Sequence, residues 1–270
     1  MTKVLDSKLG KAVVTGASAG IGRIYAERLA KRGHDLLLIA RRGDRLEALA
    51  GELREKYDVA VETRVADLAM SFDLDAVAAA LASDPTVTVL VNNAGTSTVA
   101  PVSTVKLNAV AAMIDLNVTA LALLSRAVLP GFLERNKGAL INVGSVLGFH
   151  ATLNTSVYSA TKSFVLTFTR SLQDEVENTD VRVQLVLPAA TATDIWEISG
   201  VPLSTLPPES IMTADDCVDA ALAGLDMGEA VTIPALHDDA LFATYDTARA
   251  EMFGATVTGT PAPRYQVARE

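Results

Sequence analysis

Seven short apolar runs recur along the chain, each followed by a stretch with helical spacing, and this alternation limits the fold more than any other feature. The runs are Lys11–Thr15, Asp35–Ala40, Val59–Val65, Val87–Val91, Gly138–Val143, Val181–Leu187 and a last one near Ala230–Ile233. The second reads Asp-Leu-Leu-Leu-Ile-Ala, with no polar residue after its first position. Runs without alternation suit strands covered on both faces. Helical stretches are expected at Ile21 to about Arg32, closed by Gly33, then at Asp44–Tyr57 and about Asp73–Ala82. A long one covers Ser103–Arg135, followed by Thr155–Glu177 and Ala214–Leu225. Strand–helix alternation of this kind predicts an α/β fold: a doubly wound, mostly parallel seven-stranded sheet with helices on both faces.

No Gly/Ser-rich or Pro-rich linker interrupts the first 190 residues and no repeat appears, so 1–236 is read as one domain. Its irregular stretch at about 194–210, with prolines at 202, 207 and 208, is the expected lid. The remainder, 237–270, is an extension expected to pack on the same domain or on a partner subunit, with a helix at His237–Phe253 and an extended or disordered end at Pro261–Tyr265. Net charge is -9, which disfavours a general nucleic-acid binder but leaves room for an anionic ligand on local cations. The start, Met1–Lys8, lacks the apolar core of a signal peptide, and Ala120–Leu133 is too short and, with Arg126, too charged to span a bilayer. With one cysteine, Cys217, and no Cys/His cluster at metal-ligand spacing, the expectation is a cytoplasmic protein with no metal and no membrane partner.

In a parallel sheet, ligands bind outside the carboxyl ends of the strands. The distinctive residues fall there. Thr15-Gly16-Ala17-Ser18-Ala19-Gly20-Ile21-Gly22 joins the first strand to the first helix; small residues let backbone approach a pyrophosphate, and the helix start offers unpaired N–H groups. Arg41 and Arg42 follow the second strand, where a carboxylate would hold an NAD ribose. They could pair with a 2′-phosphate, or could open a solvated helix with Asp44 and Arg45. Asp67 follows the third strand, either as an adenine acceptor or as a turn cap. Asn92-Asn93-Ala94-Gly95 follows the fourth, Ser145 the fifth, and Pro188–Thr193 the sixth.

Tyr158 and Lys162 are four apart on an expected helix and share one face. A nearby ammonium favours the phenolate and lowers the phenol pKa, so such a tyrosine can pass a proton to or from a carbon-bound oxygen. Ser145 could hydrogen-bond the same oxygen. Asn117 lies in the apolar stretch Ile114-Asp115-Leu116-Asn117-Val118, where an asparagine needs a hydrogen-bonding role, in the core or in a site.

Together these motifs resemble the short-chain dehydrogenase/reductase family, in order and spacing, over about residues 10–235: Thr15–Gly22, Asn92–Gly95, Asn117, Ser145, Tyr158, Lys162 and Pro188. The resemblance implies a Rossmann-type dinucleotide fold and an enzyme moving a hydride between nicotinamide and a carbonyl or secondary alcohol. Tyr158 would be the general acid/base, Ser145 would orient substrate, and Lys162 would lower the Tyr pKa and hold the nicotinamide ribose. Asn117 would position a relay water. The cofactor would touch Gly16, Ser18, Ala19, Gly20, Ile21, Gly22, Arg41, Arg42, Asp67, Leu68, Asn92, Ala94, Gly95, Tyr158, Lys162, Pro188, Thr191 and Thr193. Arg41-Arg42 resembles the NADP-preferring members, so NADP(H) is expected ahead of NAD. Many members have Pro-Gly where this chain has Pro188-Ala189, and many NADP-users have a basic residue at Ala19. A homodimer or homotetramer is implied by resemblance alone.

The substrate is expected to be small and fairly apolar. Val146–Val157 joins Ser145 to Tyr158 and is expected to line the pocket, with Leu147 and His150 as substrate contacts beside Ser145 and Tyr158; Trp196 is the expected wall on the lid. An NAD-linked alcohol dehydrogenase and a non-catalytic dinucleotide sensor are the competing readings.

Overall fold

Apolar runs that cannot face water on either side must pair in the middle of a covered sheet, and they do. The computed structural model describes residues 9–265, so the Met1–Lys8 start lies outside the described residues. The strands are β1 (Lys11–Thr15), β2 (Asp35–Ala40), β3 (Val61–Val65), β4 (Val87–Asn92), β5 (Gly138–Val143), β6 (Val181–Val186) and β7 (Val231–Thr232). They lie in the order β3-β2-β1-β4-β5-β6-β7, every neighbouring pair parallel. The chain winds outward from β1 to β3, returns to β4 beside β1, and winds outward again to β7. Where the winding reverses, the loops after β1 and β4 part and leave a crevice.

Helices cover both faces. On one face α1 (Gly20–Lys31), α2 (Gly43–Tyr57) and α8 (Ala214–Met227) bury Tyr25, Leu29, Leu46, Leu53, Val218 and Leu222 against β1, β2 and their neighbours. On the other, α3 (Ser71–Ser83), α5 (Leu121–Glu134) and α6 (Ser156–Val176) bury Leu74, Val77, Leu124, Val128, Phe132 and Leu172. α8 starts with Thr213 accepting from the Asp216 N–H at 3.0 Å, a capping bond that its sequence position allows.

Two elements differ most from the sequence reading. β3 starts at Val61 rather than Val59, because Asp58 takes a left-handed turn conformation (φ 53°) and Ala60 N–H donates to Asp35 Oδ1 at 2.9 Å. The single helix expected over Ser103–Arg135 is α4 (Leu107–Ile114), a π-helical turn at Asp115–Ala120, and α5. A π-turn adds a residue to the helical repeat and aims side chains that a regular helix would not; Asn117 sits inside it. This continuous run, Leu107–Glu134, is long and apolar enough by composition to cross a membrane, but its Leu124, Val128, Leu129 and Phe132 are core residues on the sheet.

The chain divides into two units, one ending at Ala235 and one starting at Leu236. The second unit contains α9 (Ala240–Ala255), which carries a Phe242–Tyr245 ring pair 5.7 Å apart, and a 3-10 turn at Pro263–Tyr265, where the composition suggests an extended or disordered end.

Phe132 is wholly buried, and its ring fills the space that a Cβ at Gly138 would need. Phe132→Ala is therefore expected to lower the unfolding free energy by about 3–5 kcal/mol, read as a shift in the urea midpoint.

Candidate active site

The crevice at the reversal point is closed from below by one hydroxyl. Thr15 Oγ1, buried at the end of β1, donates to Val91 O at 3.2 Å and accepts from the N–H groups of Asn93 and Ala94, both at 3.0 Å. Asn93 Nδ2 returns a bond to Thr15 O at 2.9 Å. The glycine turn is thereby laced to the loop after β4. A side chain at Gly16 would strike Asn93 Nδ2 at 2.7 Å, and one at Gly22 would strike Gly16 O at 2.4 Å. Both glycines are required by close approach of backbone, and Gly16 also by its φ of +67°.

Gly16, Ser18, Ala19, Gly20 and Ile21 line the crevice, as do Arg41, Arg42, Asp67, Leu68, Ala94, Gly95, Pro188, Thr191 and Thr193. The α1 N-terminus faces this space with no side-chain cap and no acidic residue in its first turn. Its first N–H groups are therefore open to an anion. Arg42 Nε donates to Ser18 Oγ at 3.2 Å. Arg42 and Arg45 both donate to one oxygen, Asp194 Oδ2, at 3.1 and 3.3 Å. That carboxylate oxygen stands where an anionic ligand oxygen would sit, so the cation set fits a 2′-phosphate. Arg45, read from sequence as part of a solvated helix face, belongs to this set. Asp67 also makes its turn, accepting from Ala69 N–H at 3.1 Å, with Arg41 3.8 Å from its other oxygen.

At the opposite end of the crevice stand Ser145, Tyr158 and Lys162. Ser145 follows β5, accepts from Leu147 N–H at 3.1 Å and hydrogen-bonds the Tyr158 hydroxyl. Burial pushes the Tyr158 phenol up to about 12, and the Ser145 bond opposes the rise. Lys162 is only 6% exposed; burial pulls its ammonium down to about 8. The expectation that Lys162 tunes Tyr158 directly is not what the protein alone displays. Its Nζ donates to Val143 O at 2.9 Å and lies 5.8 Å from the Tyr158 ring centre. Desolvation sets the direction of the phenol's shift.

Asn117 explains its place in an apolar helix by its bonds. Its Nδ2 donates to Thr96 O at 2.9 Å and Thr161 Oγ1 at 3.1 Å, while Oδ1 accepts from Thr96 N–H at 2.9 Å. Both amide hydrogens are used, leaving one lone pair of Oδ1 for any water. Asn117 lies behind Gly95, whose absent Cβ would fall 3.3 Å from Oδ1 and 3.9 Å from Lys162 Nζ.

Four residues expected to contact cofactor or substrate fall outside the crevice lining, and Gly22 is one of them, packed against Gly16 O beneath the turn. Asn92 does not line the crevice: its Nδ2 donates to Ser125 Oγ and Asn142 Oδ1, both at 3.0 Å, tying β4 to β5 and α5. Asn93, one residue later and past the last strand alternation, takes the crevice position. Leu147 and His150 do not reach the crevice either, and nothing between Val146 and Val157 lines it. That segment turns outward, leaving Leu153 86% exposed. The apolar wall comes instead from Leu116 and from the lid helix α7 (Ile195–Ser199): Ile195, Trp196 and Ile198. Trp196 is held by an Nε1–H bond to Thr191 O at 2.8 Å. The lid's neck is pinned by Met212 N–H to Ala190 O and Ala192 N–H to Met212 O, both 2.9 Å. Ala189 is not among the positive-φ residues, so alanine fits there without backbone strain.

A crevice with an anion cradle at one end and a proton-transfer group at the other is what a dinucleotide-dependent oxidoreductase requires. The sequence profile of the short chain dehydrogenase family matches residues 10–200, and the chain belongs to that family. It is 38% identical over 208 residues to a very-long-chain 3-oxoacyl-CoA reductase of Anas platyrhynchos, covering 75% of this chain and 66% of that protein. The Homo sapiens protein of the same name is 37% identical over 205 residues, covering 74% and 65%. The chain thus spans a little under two thirds of the length of these relatives. Two solved structures match over nearly the whole chain. A short-chain dehydrogenase from Sphingobium yanoikuyae in complex with NADPH is 44% identical with a TM-score of 0.93, covering 96% of this chain and 100% of that one. A bulky-bulky ketone specific alcohol dehydrogenase from Comamonas testosteroni is 38% identical with a TM-score of 0.88, covering 96% and 99%.

The lysine burial has a thermodynamic consequence. A folded-state pKa of about 8 against an ordinary 10.5 means that the unfolded chain holds the extra proton between those values. Stability therefore rises with pH from 8 to 10.5 through this group, and the cost of burying the charge is fully present below pH 8. Lys162→Met is expected to leave urea stability at pH 7 equal or higher and to flatten its rise between pH 8 and 10.

Proposed function

We propose that this protein is an NADPH-dependent reductase of ketones, working in reverse as an alcohol dehydrogenase. The observation that carries the reading is the pairing, within one crevice, of guanidinium groups converging on an anionic oxygen with the Ser145–Tyr158 hydroxyl pair. The NADPH bound in the Sphingobium yanoikuyae structure supports the cofactor. The glycine turn and α1 N-terminus would hold its pyrophosphate, Arg41, Arg42 and Arg45 its 2′-phosphate, and Lys162 its nicotinamide ribose.

Bound NADPH supplies the hydride; the chain's residues handle the oxygen and the proton. Ser145 and Tyr158 together grip the ketone oxygen and hold its carbon toward the crevice. Tyr158, a phenol whose pKa burial raises further above its ordinary value, gives its proton to that oxygen as negative charge develops. Ser145 keeps a hydrogen bond to the phenolate left behind, and the Lys162 ammonium lies close enough to favour it electrostatically. Val143 O holds the ammonium, and Asn117 ties Thr96 to Thr161, the residue before Lys162.

Leu116, Ile195, Trp196 and Ile198 support an apolar substrate. The expected small size gives way to a bulkier one in this reading, since the matched proteins are named for a bulky ketone and for very-long-chain 3-oxoacyl-CoA. We propose further that the chain forms a homo-oligomer through the α4–α5 surface, where Leu107, Ile114 and Leu123 remain exposed.

NADPH oxidation across ketones from small alkyl to bulky diaryl tests the reading. Activity should favour the bulky apolar ketones, and Tyr158→Phe should lower kcat by roughly 10²–10⁴-fold. Arg42→Ala should raise the KM for NADPH about tenfold or more with little change for NADH. Wild-type turnover that is equal with NADH and NADPH would defeat the cofactor assignment.

A further inference from the structure

Asp194 is the first residue of the lid and sits on the cations assigned to the cofactor phosphate. It accepts from Arg42 and from Arg45 through the same oxygen. Its neighbour Thr193 lies directly over the glycine turn: a Cβ on Gly20 would meet Thr193 Cγ2 at 2.9 Å. Two residues on, Trp196 lines the substrate end of the crevice and is anchored to Thr191. One short segment therefore touches the phosphate cations, the pyrophosphate turn and the substrate wall.

We propose that Asp194 is a latch that holds the lid down on the 2′-phosphate site, and that a phosphate monoester on the adenosine ribose releases it. The inference rests on the NADPH reading above and extends it to specificity and lid movement. Arg42 and Arg45 each give one nitrogen to the carboxylate, and two anions drawn to the same guanidinium pair repel each other, so the entering phosphate competes with the carboxylate for it. The exchange is easy in one direction. All three side chains are roughly half exposed, at 47% for Asp194, 41% for Arg42 and 52% for Arg45. An exposed single-oxygen contact of this kind is weak, whereas a phosphate offers the arginines a doubly charged, multidentate partner. A cofactor without the 2′-phosphate leaves the latch engaged. Discrimination between the two cofactors thus has a second part besides direct attraction: only the phosphorylated one frees the segment that carries Ile195, Trp196 and Ile198.

The chain contains a single tryptophan, Trp196, so its emission reports on the lid without a label. The test uses adenosine 2′,5′-bisphosphate and adenosine 5′-monophosphate, which carry no nicotinamide and do not reach the catalytic end. Binding is measured by calorimetry and the lid by Trp196 emission. The bisphosphate should change the emission and the monophosphate, at equal occupancy, should not. Asp194→Asn should bind the bisphosphate about two- to fivefold tighter, because the competing charge is gone. Its unliganded emission should already resemble that of the bisphosphate-bound wild type. Bisphosphate binding with no emission change, or with unchanged affinity in Asp194→Asn, overturns the latch and leaves the NADPH reading standing. Equal affinity for the two nucleotides overturns the phosphate site itself, and the latch with it.

Discussion

Everything in the crevice is referred to the hydroxyl of Thr15. Parallel strands direct all their carboxyl ends to one side, but this alone yields a row of loops, not a site. Thr15 Oγ1 bonds Val91 O and takes the N–H groups of Asn93 and Ala94. It therefore fixes the separation of the two loops that diverge at the reversal point. The glycine turn can then approach Asn93 so closely that no Cβ fits at Gly16 or Gly22. From the same loop, Gly95 leads back toward Asn117 and Lys162. The phosphate end and the proton end are thus two arms of one hydrogen-bonded junction.

The site spends stability to hold its chemistry. Lys162 is buried with a backbone acceptor, Val143 O, and burial lowers its ammonium pKa. An uncompensated buried cation is a cost that folding alone would not select. Tyr158 is shifted the other way by the same desolvation, which holds the proton on the phenol more tightly. Opposite shifts of neighbouring groups are the pattern expected of a proton-transfer site. Cys217, by contrast, is buried and its thiol is raised to about 11, so it behaves as packing under α8.

The strands were legible because a sheet covered on both faces leaves unbroken apolar runs: Lys11–Thr15, Asp35–Ala40 and Gly138–Val143 needed no adjustment, and only β3 moved by more than one residue. The Ser145, Tyr158 and Lys162 group was legible because strand-end placement and i, i+4 spacing both constrain it. Contacts made by chain segments distant in sequence were not legible. Asp194 and Arg45 meet across 149 residues, and nothing local in either marks the other. The choice of Asn93 over Asn92 turns on where β4 ends, a matter of one residue in a period of two. The segment after Ser145 is apolar enough to suggest a pocket wall, yet a 3-10 turn at Val146–Gly148 sends it outward. The π-turn around Asn117 has no composition signal apart from the asparagine.

The central claim is that a hydride crosses from a nicotinamide to a carbonyl carbon held by Ser145 and Tyr158. It is tested most directly with NADPH deuterated at the transferable C4 position and an apolar ketone, by mass spectrometry of the product alcohol. The account predicts one deuterium on the carbinol carbon, lost together with turnover in Tyr158→Phe. Product alcohol without deuterium from either C4 face, or full turnover in the phenylalanine variant, would contradict it.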